Sequence, residues 1–260
     1  MDLGADLDDA FTLALALRFL GDIAINVDAD LDRAQALLDR SLAAAEELGN
    51  PAAIVRTLLF AGWVPWTRGD TAEAEAIWRR ALSVAEPDDG WARVRALNSL
   101  SINLTGAAGT GPAPREDVEA ALRLSEEASE IAESMGDGFS IAIVAVQRAR
   151  VLEDLGRREE SLSCIGDAIA TFDELGARWE YADAMAERGI ILRELGRLDE
   201  AEEDLRAATR ISEELGELQL ASWTWRALSR VSELRGDHAE AERQARRSRD
   251  AEEQFERSQS

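Results

Sequence analysis

Small side chains mark this chain at a regular interval. Alanine or serine stands at positions 34, 74, 121, 161, 201 and 241, and a second small residue follows each by seven, at 41, 81, 128, 168, 208 and 248. Seven residues is about two helical turns, so each pair shares one helix face, where a second helix can approach closely. Steps between successive first positions are 40, 47, 40, 40 and 40 residues. The longer step contains Gly109-Thr110-Gly111-Pro112-Ala113-Pro114, a loop insertion. A turn precedes each pair: Gly69-Asp70-Thr71-Ala72-Glu73-Ala74 is echoed at Gly156, Gly196 and Gly236, and more weakly at Asp30 and Asp117. Gly49, Gly136, Gly176 and Gly216 follow the second helix as C-terminal stops. Asp70 and Asp237 suit N-caps, with Glu73 and Glu240 placed as in a capping box. The pattern predicts an all-α chain of about six helix pairs, in repeats 8–50, 51–90, 91–138, 139–177, 178–217 and 218–257, with the insertion at 106–115.

In these turn and small-residue motifs the chain resembles the tetratricopeptide repeat family, in a long subtype with a 40-residue period. HEAT-type repeats share that period, but the Gly-Asp-x-x-Glu-Ala turn and the paired alanines favour the tetratricopeptide reading. The resemblance covers essentially the whole chain. It implies a single right-handed α-solenoid over 1–260, in which the first helix of each repeat lines a concave groove. Carried onto this chain, the groove positions include Arg56, Trp63 and Trp66, then Arg95 and Asn98, then Arg150, Arg193, Trp223, Arg226 and Arg230. The family's helix A aromatic is mostly missing. The two-carboxylate clamp of chaperone-binding members is not matched either, since it needs lysines and this chain has none.

Charge changes the picture next. The 260 residues carry 52 acidic and 29 basic side chains, a net charge of −23, and every cation is an arginine. Summed over the predicted helices, the first helices of the repeats carry +3 and the second helices −23. Two readings are open. The second helices can simply be the solvated face, or the groove is kept neutral to basic inside an acidic shell. On the second reading the groove takes an extended acidic segment or an anionic ligand, because the guanidinium fork suits carboxylate and phosphate. Asn98 can both donate to and accept from a peptide backbone. Arg226→Glu with Arg230→Glu is then expected to abolish binding. Trp63 and Trp66, three apart, either wall a ligand or pack between repeats.

The ends differ. The last helix has small residues rimmed by arginines, as a terminal solenoid helix needs for solubility. The first is apolar all round: Phe11, Leu13, Leu15, Leu17, Phe19 and Leu20 are expected to pack on an upstream domain or on a second copy.

The same residues exclude several functions. An outer surface this acidic opposes nucleic acid and anionic membrane. One cysteine, Cys164, and one histidine, His238, leave no disulfide and almost no His-based metal or acid–base chemistry. A reduced, cytoplasmic setting is expected. The longest apolar run is too short for a membrane span. No nucleophile constellation or phosphate-cradling glycine loop is present, and no cofactor is expected. The reading is a non-catalytic protein- or peptide-binding scaffold. The alternative is a ligand- or peptide-sensing regulatory part of a larger bacterial transcription activator or signalling ATPase. Halophily or codon bias would equally explain the acidity and the missing lysines.

Overall fold

A computed structural model describes residues 3–26, 29–105 and 112–258, so most of the 106–115 insertion lies outside the described residues. Among those described, every regular element is a helix: α1 Leu3–Asn26, α2 Leu31–Glu47, α3 Pro51–Ala61, α4 Trp63–Thr67, α5 Thr71–Val84, α6 Gly90–Thr105, α7 Arg115–Met135, α8 Gly138–Asp154, α9 Arg158–Leu175, α10 Arg178–Glu194, α11 Leu198–Leu215, α12 Leu218–Leu234 and α13 His238–Ser258. They pack in successive pairs, with α3 and α4 together forming one partner of α5. Two compact units result, Met1–Gly136 (α1 to α7) and Asp137–Ser260 (α8 to α13).

The small-residue pairs do what their spacing implies. All twelve side chains are buried. The close approach they permit is stitched by hydroxyl bonds to backbone carbonyls. In unit 1, Ser41 Oγ donates to the Ala14 carbonyl at 2.8 Å and Ser101 Oγ to that of Ala121 at 3.0 Å. In unit 2, Ser161 Oγ donates to Ala149 at 2.6 Å and Ser229 Oγ to Ala241 at 2.9 Å. A buried hydroxyl left unpaired would cost about 1–3 kcal/mol, so these serines need the partner helix as much as they stitch it.

The turns follow one plan. Gly69 and Gly236 adopt φ of 83° and 80°, a region that residues with a Cβ rarely enter. The next residue then donates its N–H back into the helix just ended: Asp70 N to the Pro65 carbonyl, 2.8 Å, and Asp237 N to Ser232, 3.0 Å. Asp70 and Asp237 do cap α5 and α13, accepting from Glu73 N and Glu240 N at 3.0 Å. Because their own N–H groups already serve the turn, the reciprocal half of a capping box has no donor to satisfy. Before α2 the left-handed position is taken by Ala29, φ 46°.

The first helix of the second repeat, 51–90, is divided at Gly62. Pro65 has no N–H for the Ala61 carbonyl four residues back, so the hydrogen-bond ladder breaks there. Gly62 keeps right-handed helical angles, φ −62° and ψ −24°, and its value lies in size. A Cβ at this position would run into the indole of Trp78. Gly21 in α1 and Gly189 in α10 are needed for the same reason, with Leu38 Cγ and Leu205 Cγ 2.7 Å from where a Cβ would sit.

Core clusters form within each unit. Unit 1 gathers Val55, Leu58, Leu59, Trp78 and Leu100, and unit 2 gathers Ile165, Phe172, Ile191, Leu205 and Leu228.

Candidate functional site

In unit 1 the first helices α1, α3 and α6 carry arginines that lie over aromatic rings of the same or the following first helix. Arg18 of α1 sits 4.4 Å from the Phe19 ring and 5.1 Å from the Phe60 ring of α3. Arg56 of α3 sits 4.6 Å from the Trp91 ring of α6, and Arg95 of α6 lies over that ring at 5.6 Å. Burial first, and the neighbouring positive charge of Arg56 second, pull Arg18 below its ordinary value. A guanidinium on an aromatic face is worth about 0.5–2 kcal/mol and fixes the ring. Three cations and three rings thus form an ordered ladder along this face.

A cavity of about 140 Å³ opens beside the ladder, lined by Leu59, Phe60, Trp63, Trp91, Arg95, Asn98 and Ser99. Trp63 is held edge-on by two other indoles, Trp66 at 5.3 Å and Trp78 at 5.1 Å between ring centroids. Trp78 is fully buried and donates its Nε1 proton to the Leu59 carbonyl at 3.2 Å. Asn98 is 8 % exposed, and its Oδ1 has no hydrogen-bond partner. Buried acceptors are nearly always paired, so Asn98 Oδ1 is an exception, though it has no accessible surface of its own.

Of the residues predicted for the groove, the structure brings together Trp63, Arg95 and Asn98, with Arg56 one ring away. Trp66 meets Trp63 edge-on and packs on the core, off the cavity lining. Trp91 and Phe60 were not among the predicted residues, yet they wall the cavity. Trp91 is the second residue of α6, and its offsets of four from Arg95 and seven from Asn98 put it on their helix face, a signal that could have found it.

Unit 2 is arranged differently. Arg150 is half-buried and already engaged: its Nη2 donates to Asp183 at 2.8 Å and its Nε to Glu187. Burial opposes the charged guanidinium, but the two carboxylates outweigh that and hold Arg150 above its ordinary value. A free anion would have to displace both, which corrects the picture of Arg150 as an open anion receptor. Arg193 is paired with its neighbour Glu194 at 2.6 Å. Trp223 packs against the core formed by Ala182, Ile211 and Leu220. Arg226 and Arg230 are exposed, with surface partners Glu252 at 3.7 Å and Glu233 at 2.7 Å. Trp225 donates to Glu213 at 3.0 Å, with Arg247 over its ring at 4.7 Å. Cys164 is half-buried, and burial pushes its thiol up, away from reactivity.

Around Arg150 three carboxyls are held above the ordinary range. Burial is the main cause for each, with Arg150 opposing and Asp183 adding at Glu187, Glu187 adding at Asp154, and Asp154 adding at Glu153. A carboxyl whose folded value exceeds its unfolded one loses stability as pH rises from the ordinary range through the raised one. Unit 2 is therefore expected to gain thermal stability as pH is lowered from neutral to about 5. Below the ordinary range the trend reverses, because arginine hydrogen bonds hold Glu160, Glu200 and Glu214 low. Calorimetric scans across this range check the sign, and a flat or falling Tm between neutrality and pH of about 5 would contradict it.

At the other end, Phe11, Leu13, Leu15, Phe19 and Leu20 of α1 are exposed, as is Ile23. Leu17 is not: it is 5 % exposed. It lies three residues after the buried Ala14 and four before Gly21, on the face that packs against α2, so it leaves the set available for association. No helix of the described residues is long and apolar enough to cross a membrane.

The tetratricopeptide repeat sequence model matches residues 140–214 and 180–254. This places tetratricopeptide repeats in residues 140–254, and the paired helices, glycine turns and buried small residues follow the same plan in the rest of the described chain. No curated protein matches it in sequence. Among solved structures it is similar to BtubC (BKLC) from P. vanneervenii, at 20 % identity over 87 % of this chain and 92 % of that one, TM-score 0.68. It is also similar to a Rap protein complexed with competence and sporulation factor, at 14 % identity over 93 % and 75 %, TM-score 0.70. A signal transduction ATPase with numerous domains from Pyrococcus horikoshii, carrying a tetratricopeptide repeat sensor, matches at 17 % identity and TM-score 0.59; 95 % of this chain corresponds to 36 % of that one. At these identities the likeness is one of fold, and fold alone assigns no function.

Proposed function

We propose that the chain is a non-catalytic protein- or peptide-binding module whose partner docks on the first-helix face of unit 1. The observation that carries this is the aromatic cavity walled by Phe60, Trp63 and Trp91, with the Arg56 and Arg95 guanidiniums over the Trp91 ring. The cations suit an acidic segment. The Rap protein complexed with competence and sporulation factor supports the capture of a partner by this fold. Selection of ligands from a random-peptide library tests the reading. Selected peptides are expected to lose about tenfold or more in affinity on Arg56→Glu. Failure to enrich any peptide, or indifference to the Arg56 change, would defeat it.

A second reading, the sensing part of a larger regulator, is favoured by the exposed apolar face of α1 and by the sensor-bearing ATPase of similar fold. It predicts a covered face. Light scattering is expected to show self-association that Phe19→Glu with Leu20→Glu disperses. A monomer whose α1 amides exchange freely would count against it.

A further inference from the structure

We propose a second docking surface, independent of the unit 1 reading: an acid-rimmed apolar patch on unit 2 that takes a cationic side chain of a partner over the open face of Trp179. The second residue of three first helices is aromatic: Trp91 in α6, Phe139 in α8 and Trp179 in α10. Two of these rings are covered from within the chain. Trp91 lies under the Arg56 and Arg95 guanidiniums, and Phe139 meets Phe172 edge-on at 5.8 Å. Trp179 has neither kind of cover among the described residues and is 44 % exposed. The difference is one of charge. Four residues after Trp91 stands Arg95, but four after Trp179 stands Asp183. The preceding first helix, α8, does carry an arginine, Arg150, yet Asp183 and Glu187 hold it. The indole is thus left to a cation from outside the chain. It is not an isolated apolar side chain. Leu175, four residues before it across the Gly176 turn, is 56 % exposed. Leu215 is 37 % exposed and sits at the same edge, because its neighbour Glu214 pairs with Arg178, the neighbour of Trp179. The rim is negative: Asp173, Glu174 and Glu217 are exposed and have no ion-pair partner among the described residues. Tryptophan offers a cation the best π face of any side chain, and the carboxylates add attraction of the same sign. A second copy of this acidic chain would meet like charge at the rim. The occupant is therefore an amphipathic segment of a partner protein, with apolar side chains flanked by arginine or lysine.

The full chain is titrated with an amphipathic helical peptide of leucine, alanine and arginine, and with copies carrying citrulline or glutamate in place of arginine. At about 0.5 M salt, charges more than a few ångströms apart are screened, so contact and not long-range attraction is read. The arginine peptide is expected to shift the Trp179 indole N–H resonance, which is identified by its absence in Trp179→Leu. That variant keeps an apolar side chain and removes the π face. Its position is exposed, so it is expected to melt with the wild type. It is expected to bind the arginine peptide at least about threefold more weakly, within the roughly 2- to 30-fold that a cation–π contact implies, and the citrulline peptide as before. Equal affinity of the wild type for the arginine and citrulline peptides would overturn the proposal, as would an unmoved Trp179 resonance. So would a loss under about threefold on Trp179→Leu, or an equal loss for both peptides, since the acidic surface alone would then explain the binding. A glutamate peptide bound as tightly as the arginine one would give the patch to an acidic partner, and a dimer that Trp179→Leu disperses would give it to a second copy. Either result also overturns the proposal.

Discussion

Trp78→Ala is expected to remove about 3–5 kcal/mol from the stability of unit 1, the largest effect of any single truncation there. Trp78 has no exposed surface, supports Trp63 edge-on, and donates to the Leu59 carbonyl. Truncation leaves a void, an unpaired carbonyl and a cavity wall without its brace. The void cannot close easily, because Gly62 brings the α3–α4 backbone against the indole and nothing on that side can fill it. Urea unfolding followed by far-UV circular dichroism measures the loss, and a change under about 1 kcal/mol would mean the site collapses freely. Trp78→Phe keeps most of the volume and loses the donor. It is expected to fall between, and to weaken ligand binding through Trp63 without touching the ligand.

The second large effect lies in unit 2. Arg150→Met is expected to cost about 2–3 kcal/mol at neutral pH, the lower end of the range for breaking a buried ion network because the arginine is half-buried. Asp183 and Glu187 would then face each other without a cation. One of them would take up a proton instead, so most of the loss is expected to be regained on acidification to about pH 5. Replacing all three by apolar residues, Arg150→Met with Asp183→Leu and Glu187→Leu, is expected to be neutral or stabilising. If the triple variant is as unstable as the single one, the network contributes through its hydrogen bonds and not through mutual neutralisation.

The repeat architecture was legible because close helix contact permits so few residues. Ala74 with Ala81, or Ala201 with Ala208, leaves room for nothing larger, so the pairs stand out at a fixed spacing. The glycines at 69, 156, 196 and 236 are equally constrained by positive φ. The site was legible only in part. Arg56, Arg95 and Asn98 could be placed on first helices by register, but charge counting treats every arginine as available. Arg150 shows why that fails: its partners lie 33 and 37 residues on, in the next first helix, so no local pattern reveals the pairing. The helix break could have been read from Pro65, but the size limit at Gly62 was hidden for a related reason. The glycine answers to Trp78, which belongs to another helix. Leu17 looked like its apolar neighbours in α1, and only the direction of α2 distinguishes it.

The three indoles clustered around Trp63 also give unit 1 an optical signature. Trp63 stands at 83° to Trp66 and 70° to Trp78, with ring centres little more than 5 Å apart. Transition dipoles held so close and so steeply crossed exchange excitation, and a chiral trio of this kind rotates polarised light as one chromophore. In unit 2, among the described residues, Trp179, Trp223 and Trp225 make no ring-to-ring contact and absorb singly. A swing of Trp63 when the cavity fills would therefore register in the aromatic dichroism of unit 1 alone, so occupancy could be followed without any label.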